Sequence, residues 1–172
     1  MLIKKLLPSL HVNSIYDINL DDLKHRGIKG IITDLDNTLI EWDRPDATPE
    51  LIEWLKKVET EGFKVVVVSN NNSNRVANFA NPLGIPFIPG AKKPFNKAFI
   101  QAKKMMKLQP EEVVVIGDQL FTDVLGGNRL GLYTILVIPV AKSDGFFTRF
   151  NRRMERMALN YMKKKGIQTW ED

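Results

Sequence analysis

The chain has no cysteine among its 172 residues. That excludes a disulfide framework and any metal site built on thiolates, and it suits a reducing compartment such as the cytosol. Long hydrophobic runs are also missing: no stretch approaches the roughly 20 apolar residues that cross a bilayer. The opening MLIKKLLPSL lacks an apolar core of signal-peptide length and is broken at Pro8. These absences predict a cytoplasmic chain that is not integral to a membrane. There are two histidines, His11 and His25, and neither falls in a motif, so both read as surface or packing residues. No internal repeat and no low-complexity linker interrupts the chain.

What remains is an ordinary globular composition, 44% hydrophobic and 26% charged, at a length that supports one self-sufficient core. The charge is unevenly distributed. Residues 142–165 hold eight basic side chains against two acidic ones, a surplus of six, while the whole chain carries +5. The basic character therefore belongs to the tail. This divides the chain into a main domain at 1–141 and a basic amphipathic helix and tail at 142–172.

Near-continuous Val/Ile runs at 28–34 (IKGIITD), 63–69 (FKVVVVS), 112–117 (EVVVIG) and 132–138 (LYTILVI) predict strands covered on both faces, with a weaker one at 85–88. Helices are predicted between them, at 17–25, 48–61, 73–80, 96–107 and 121–130. The second of these opens on a Thr48-Pro49-Glu50 start and stops at Gly62. This alternation predicts an α/β, Rossmann-like, doubly wound fold with a mostly parallel sheet and helices on both faces. Ligands in such folds sit beyond the carboxyl ends of the strands.

The polar residues that follow these strands are therefore the candidates for chemistry. The first strand runs into Asp34-Leu35-Asp36-Asn37-Thr38, with two carboxylates pointing the same way. Like charges this close need a cation or a shared proton. The bland alternative is a cap or solvated turn, to which the end of a buried apolar strand is poorly suited. The second strand ends in Ser69-Asn70, a hydroxyl and an amide able to donate to an anion, although both are common turn residues. The strand at 112–117 ends in Gly117-Asp118, with Asp123 five residues on, adding the hard oxygen ligands magnesium prefers. Lys92-Lys93-Pro94 precedes the helix at 96–107. A cation at a helix start is unfavourable unless it faces an anion such as phosphate.

In order and spacing, these residues resemble the haloacid dehalogenase-like (HAD) phosphohydrolase superfamily over roughly 28–138. DLDNT matches its first motif, Ser69 the second, Lys93 the third and GDQLFTD (117–123) the fourth. The resemblance implies a Mg2+-dependent phosphomonoesterase. Asp34 would be the nucleophile, forming an aspartyl-phosphate, and Asp36 the general acid/base. Ser69, Asn70 and Lys93 would hold phosphate, with Lys93 favoured over Lys92 because it directly precedes the proline. Mg2+ would bind Asp34, the Asp36 carbonyl and Asp118, with Asp123 a partner behind the ligands or acting through water. Thr38 would fix the first motif's loop.

Superfamily members often enclose small substrates with a cap domain inserted after the first motif or between the second and third. Here only a short flap (39–47) and 23 residues (70–92) are available, so no large cap is expected and the site should be open. The opening LLPSLHVNSIYDINLDDLKHRGIKGIITDLDNTL is similar to that of the YqeG-type phosphatases of HAD subclass IIIA, relatives of mitochondrial phosphatidylglycerophosphate phosphatases. This implies a phosphatidylglycerophosphate substrate, in phosphatidylglycerol synthesis. In the tail, Phe146, Phe147, Phe150, Met154, Met157 and Tyr161 recur at helical spacing, with Arg149, Arg152, Arg153 and Arg156 on another side. Such a helix can lie on an anionic bilayer, placing the protein peripherally on the inner membrane face. Alternatively, the stripe packs on the domain or on another subunit. Nucleic acid is disfavoured as a partner because no recognised RNA-binding pattern accompanies the charge. The alternatives are a phosphatase for a soluble sugar phosphate or nucleic-acid end, and a protein- or RNA-docking module with a vestigial site. The closing QTWED is expected to be disordered.

Overall fold

Six strands form one sheet in a computed structural model of the chain, which describes residues 2–141 and 146–172, the side chains of 146–148 excepted. They are β1 (Leu10–Val12), β2 (Gly30–Thr33), β3 (Lys64–Val68), β4 (Phe87–Ile88), β5 (Val113–Gly117) and β6 (Tyr133–Val137). The spatial order is β1-β6-β5-β2-β3-β4 and every pairing is parallel. The predicted α/β architecture is therefore the one observed. β1 is an addition to it. Its LHV is half-exposed at the sheet edge beside β6, and so short a strand leaves no apolar run in the sequence.

The strands alternate their side chains between two apolar layers. Ile31, Val67, Val114 and Ile116 face one side, packed with Leu23 of α1 (Leu20–His25), Leu51, Trp54 and Val58 of α2 (Pro49–Thr60), and Val76 and Phe79 of α3 (Ser73–Ala80). Ile32, Val66, Val68, Val113 and Val115 face the other, against Ala98, Phe99, Ala102 and Met106 of α4 (Lys97–Met106). Helix starts follow local chemistry. Thr48 Oγ1 accepts the Leu51 N–H at 3.1 Å with Pro49 at the first helical position, and Asn19 Oδ1 caps α1 through the Asp22 N–H at 3.2 Å.

The helix predicted at 121–130 is observed as two parts, a π-helical turn at Leu120–Val124 running into α5 (Leu125–Arg129). Such wide turns are rare and concentrate at functional sites. The final helix, α6 (Phe146–Lys164), packs through Ala158 and Met162 into a third apolar cluster with Leu6, Leu120, Val124, Leu125 and Leu136. The outward stripe is the apolar one named from the sequence. Phe150, Met154, Met157 and Tyr161 are 59%, 38%, 60% and 47% exposed, so these four do not pack on the domain. Lys142, and the side chains of Phe146 and Phe147, lie outside the described residues. The C-terminal QTWED departs from the expected disorder. Thr169 is buried, its N–H and hydroxyl donate to Asp172 at 2.7 and 3.0 Å, and Trp170 packs on the third cluster. Among the described residues, no helix is long and apolar enough to cross a membrane.

Candidate active site

β2 lies between β5 and β3, and the chain proceeds from it in both directions across the sheet. The crevice at its carboxyl end is thus the topological switch point where open α/β sheets bind ligands. Asp34 is the residue after β2, its N–H donating to Ile116 O of β5 at 3.0 Å. Asn37 then turns the chain with φ of 61°, a left-handed conformation asparagine tolerates. Its N–H donates to Ile40 O at 2.7 Å, and its carbonyl accepts the Val140 N–H at 2.9 Å. This tight turn launches the short flap over residues 39–47. Among the described residues no cap domain follows it.

Carboxylate oxygens of Asp34, Asp118 and Asp123 lie within 4.8 Å of one another. Gly117 makes this approach possible, because a Cβ there would overlap the Asp123 side chain. The Asp123 N–H donates to Gln119 O at 3.0 Å and its Oδ2 accepts the Gln119 N–H at 3.3 Å. The buried Asp118 accepts from Thr38 Oγ1 at 3.1 Å through Oδ1, while its buried Oδ2 has no partner. Buried acceptors are seldom left unpaired. Burial, with Asp34 and Asp123 adding like charge, pushes Asp118 well above the ordinary carboxylate range. Burial also lifts Asp123, to about 6, against the opposing pull of Lys93. An oxygen-only donor set with one orphaned oxygen and crowded negative charge fits a hard divalent cation.

Of the two candidate lysines, Lys93 enters the cluster and Lys92 is exposed. Lys93 Nζ donates to Asp34 Oδ1 at 2.9 Å and to Asp123 Oδ1 at 2.6 Å. Burial alone would lower its pKa, but Asp123 and Asp34 outweigh that and hold the ammonium charged, above the usual lysine range. Ser69, buried at the end of β3, accepts the Asn71 N–H on its Oγ at 3.1 Å. Asn70 differs from the sequence reading. Its Oδ1 accepts the Lys93 N–H at 2.7 Å and its Nδ2 donates to Lys93 O at 3.3 Å, so both ends of the amide clamp the Lys93 backbone instead of facing an anion.

Three further residues carried no signal in the sequence. Arg75 of α3 donates to Asp36 Oδ1 from Nε (3.1 Å) and Nη2 (3.0 Å), and Asn71 Nδ2 donates to Asp36 Oδ2 at 2.8 Å. Glu155 of α6 accepts the Leu120 N–H at 2.7 Å, capping the π-turn that no local side chain caps. Burial lifts Glu155 to about 7, against this hydrogen bond. Arg75 and Glu155 lie on helices brought to the site by packing and Asn71 on the loop after β3, each remote in sequence from the residue it contacts.

The family profile described as mitochondrial PGP phosphatase matches residues 2–141. The chain belongs to this family. A probable phosphatase, YqeG, of Bacillus subtilis is 59% identical over 172 residues, covering all of both chains. Phosphatidylglycerophosphate phosphatase 1, chloroplastic/mitochondrial, of Arabidopsis thaliana is 28% identical over 94% of this chain and 49% of its own length, so the chain spans about half of that relative. Among solved structures, the cobalt-bound deoxy-D-mannose-octulosonate 8-phosphate phosphatase of Haemophilus influenzae superposes with a TM-score of 0.55 at 20% identity, over 80% of this chain and 90% of that one. A subfamily IIIA HAD hydrolase of Legionella pneumophila gives 0.53 at 22%, over 72% and 73%. At such identity the structural likeness speaks for the fold alone, and that fold is the HAD fold. With the family match, it makes the chain a HAD-type phosphatase.

Proposed function

We propose that this PGP phosphatase family member is a magnesium-dependent phosphomonoesterase that hydrolyses phosphatidylglycerophosphate at the cytoplasmic face of a membrane. The observation that carries the phosphatase chemistry is the cluster of Asp34, Asp118 and Asp123 around Lys93, with Asp118 Oδ2 left without a partner. Asp34, Asp118 and the Asp36 carbonyl are the groups proposed to hold Mg2+, which when bound offsets the negative charge of nucleophile and phosphate.

The chain's own residues have the following roles. Asp34 attacks phosphorus, forming a phosphoryl-aspartate as the bond to the leaving oxygen breaks. Asp36 gives that oxygen a proton, then takes one from the water that hydrolyses the intermediate. Lys93 and Ser69 hold non-bridging oxygens. Asn70 sets Lys93 through its backbone, and Asp123 aims the ammonium.

Three observations support the lipid substrate. The Arabidopsis relative bears that activity in its name. Among the described residues no cap domain stands over the site, which leaves room for a bulky substrate. The outward stripe of α6 presents Phe150, Met154, Met157 and Tyr161 beside exposed Arg149, Arg153 and Arg156, a composition suited to an anionic bilayer surface.

The test is a Mg2+-dependent phosphate-release panel of phosphatidylglycerophosphate, sugar phosphates, nucleotides and 3′-phosphorylated DNA, run on the wild-type chain and on Asp34→Asn. Turnover should be strongest on the lipid and absent in the variant. Full activity of Asp34→Asn removes the nucleophile assignment, and preference for a soluble phosphate removes the substrate.

A further inference from the structure

Both oxygens of the Asp36 carboxylate are occupied, Oδ1 by the two Arg75 donors and Oδ2 by Asn71. These three donors hold the carboxylate in place. The rest of the Arg75 guanidinium is satisfied by the flap. Nη1 donates to Arg44 O at 2.5 Å and Pro45 O at 3.4 Å, and Nη2 to Glu41 O at 3.3 Å. Arg75 therefore joins α3, the acid/base residue and the flap, with its side chain only 15% exposed.

The position has a consequence for substrate choice. A general acid meets the bridging oxygen of a phosphomonoester, so whatever the leaving alcohol carries lies beyond that oxygen, on the far side of phosphorus from the nucleophile and beside the acid. Beside Asp36 lies a guanidinium, whose planar fork suits phosphate as well as carboxylate.

We propose that Arg75 is a specificity-determining residue that binds a second anionic group on the leaving alcohol, such as the phosphodiester of a glycerophospholipid, exchanging Asp36 for it. The inference rests on the role proposed above for Asp36 and refines the substrate class to phosphomonoesters with a second anion. One oxyanion replaces another on Arg75, so the guanidinium stays paired, and the oxygens of Asp36 are released toward the leaving group. A substrate with a single phosphate offers no replacement and leaves Asp36 held.

The experiment compares two substrates at saturating Mg2+. One is dihexanoyl phosphatidylglycerophosphate below its micelle concentration; the other is glycerol 3-phosphate, which lacks the diester. Wild type, Arg75→Met and Arg75→Lys are assayed on both. Arg75→Met should lower the ratio of kcat/KM on the diester substrate to kcat/KM on glycerol 3-phosphate about 10- to 100-fold, the scale of one charge-assisted contact, through a loss on the diester substrate and, since Asp36 is no longer held, a gain on glycerol 3-phosphate. Arg75→Lys should recover part of the diester preference. Thermal melts of each variant serve as the control for folding. Equal losses on both substrates, or no loss on either, overturn the inference while leaving the lipid phosphatase reading intact. A wild-type chain that releases phosphate from neither substrate overturns that reading and the inference with it.

Discussion

Asp34, Asp118 and Asp123 bring three carboxylates against one ammonium, that of Lys93, and Asp118 Oδ2 lacks any donor. Such crowding destabilises the metal-free fold, because a buried carboxylate whose pKa is raised on folding opposes folding wherever the unfolded chain is ionised. Asp118→Asn should therefore raise the metal-free melting temperature near pH 7.5, on the order of 3 °C for a chain this size. It should also remove the rise in melting temperature that Mg2+ is expected to give the wild type. Differential scanning calorimetry with and without Mg2+ checks both, and an unchanged Mg2+ response in the variant removes Asp118 from the metal site. At this scale the sequence was partly legible. Asp34, Asp36 and Asp118 are readable because a carboxylate ending an apolar strand has few structural excuses, and Asp123 by its spacing from Asp118. Arg75 was not, since an arginine early in a polar helix (SNRVANFA) looks like any solvated residue until the fold sets it against Asp36.

The π-turn at Leu120–Val124 sets the direction of Asp123, and α6 holds that turn. Glu155 accepts the Leu120 N–H and Asn151 Nδ2 donates to Gln119 Oε1 at 3.1 Å. Glu155 pays for this contact with burial, which lifts its pKa from 4.5 to about 7. Since the folded state holds the proton more tightly, the penalty is absent below the unfolded value near 4.5 and grows as pH rises toward about 7. Glu155→Gln keeps an acceptor for Leu120 and removes the charge. Its melting temperature should exceed wild type by a few degrees at pH 8 and converge with it below pH 4.5, as thermal melts across that range would show. A constant offset at every pH would refute the charge argument. Elements were the most legible level for β2, β3, β5 and β6, whose Val/Ile runs are long. β1 and the π-turn were hidden, the first by brevity and the second because a wide turn shares its residue pattern with an ordinary helix.

For the molecule as a whole, the open question is what meets the outward face of α6. Replacing Phe150 and Met157, which are exposed and touch no part of the proposed chemistry, by aspartate should sharply reduce cosedimentation with vesicles of anionic phospholipid. Hydrolysis of a soluble substrate should be unaffected. Equal sedimentation of the variant and the wild type would count against a bilayer on this face. The sequence by itself determined the α/β architecture and which carboxylates gather at its carboxyl edge, because both are written in contiguous runs: apolar strands for the sheet, and carboxylates after them. Only tertiary structure decided that Asn70 serves Lys93, and that Arg75 and Glu155 reach the site. It also decided that α6 turns Ala158 and Met162 inward and its larger apolar stripe outward. The reason is that each of these depends on the approach of residues remote in the chain, which packing alone sets.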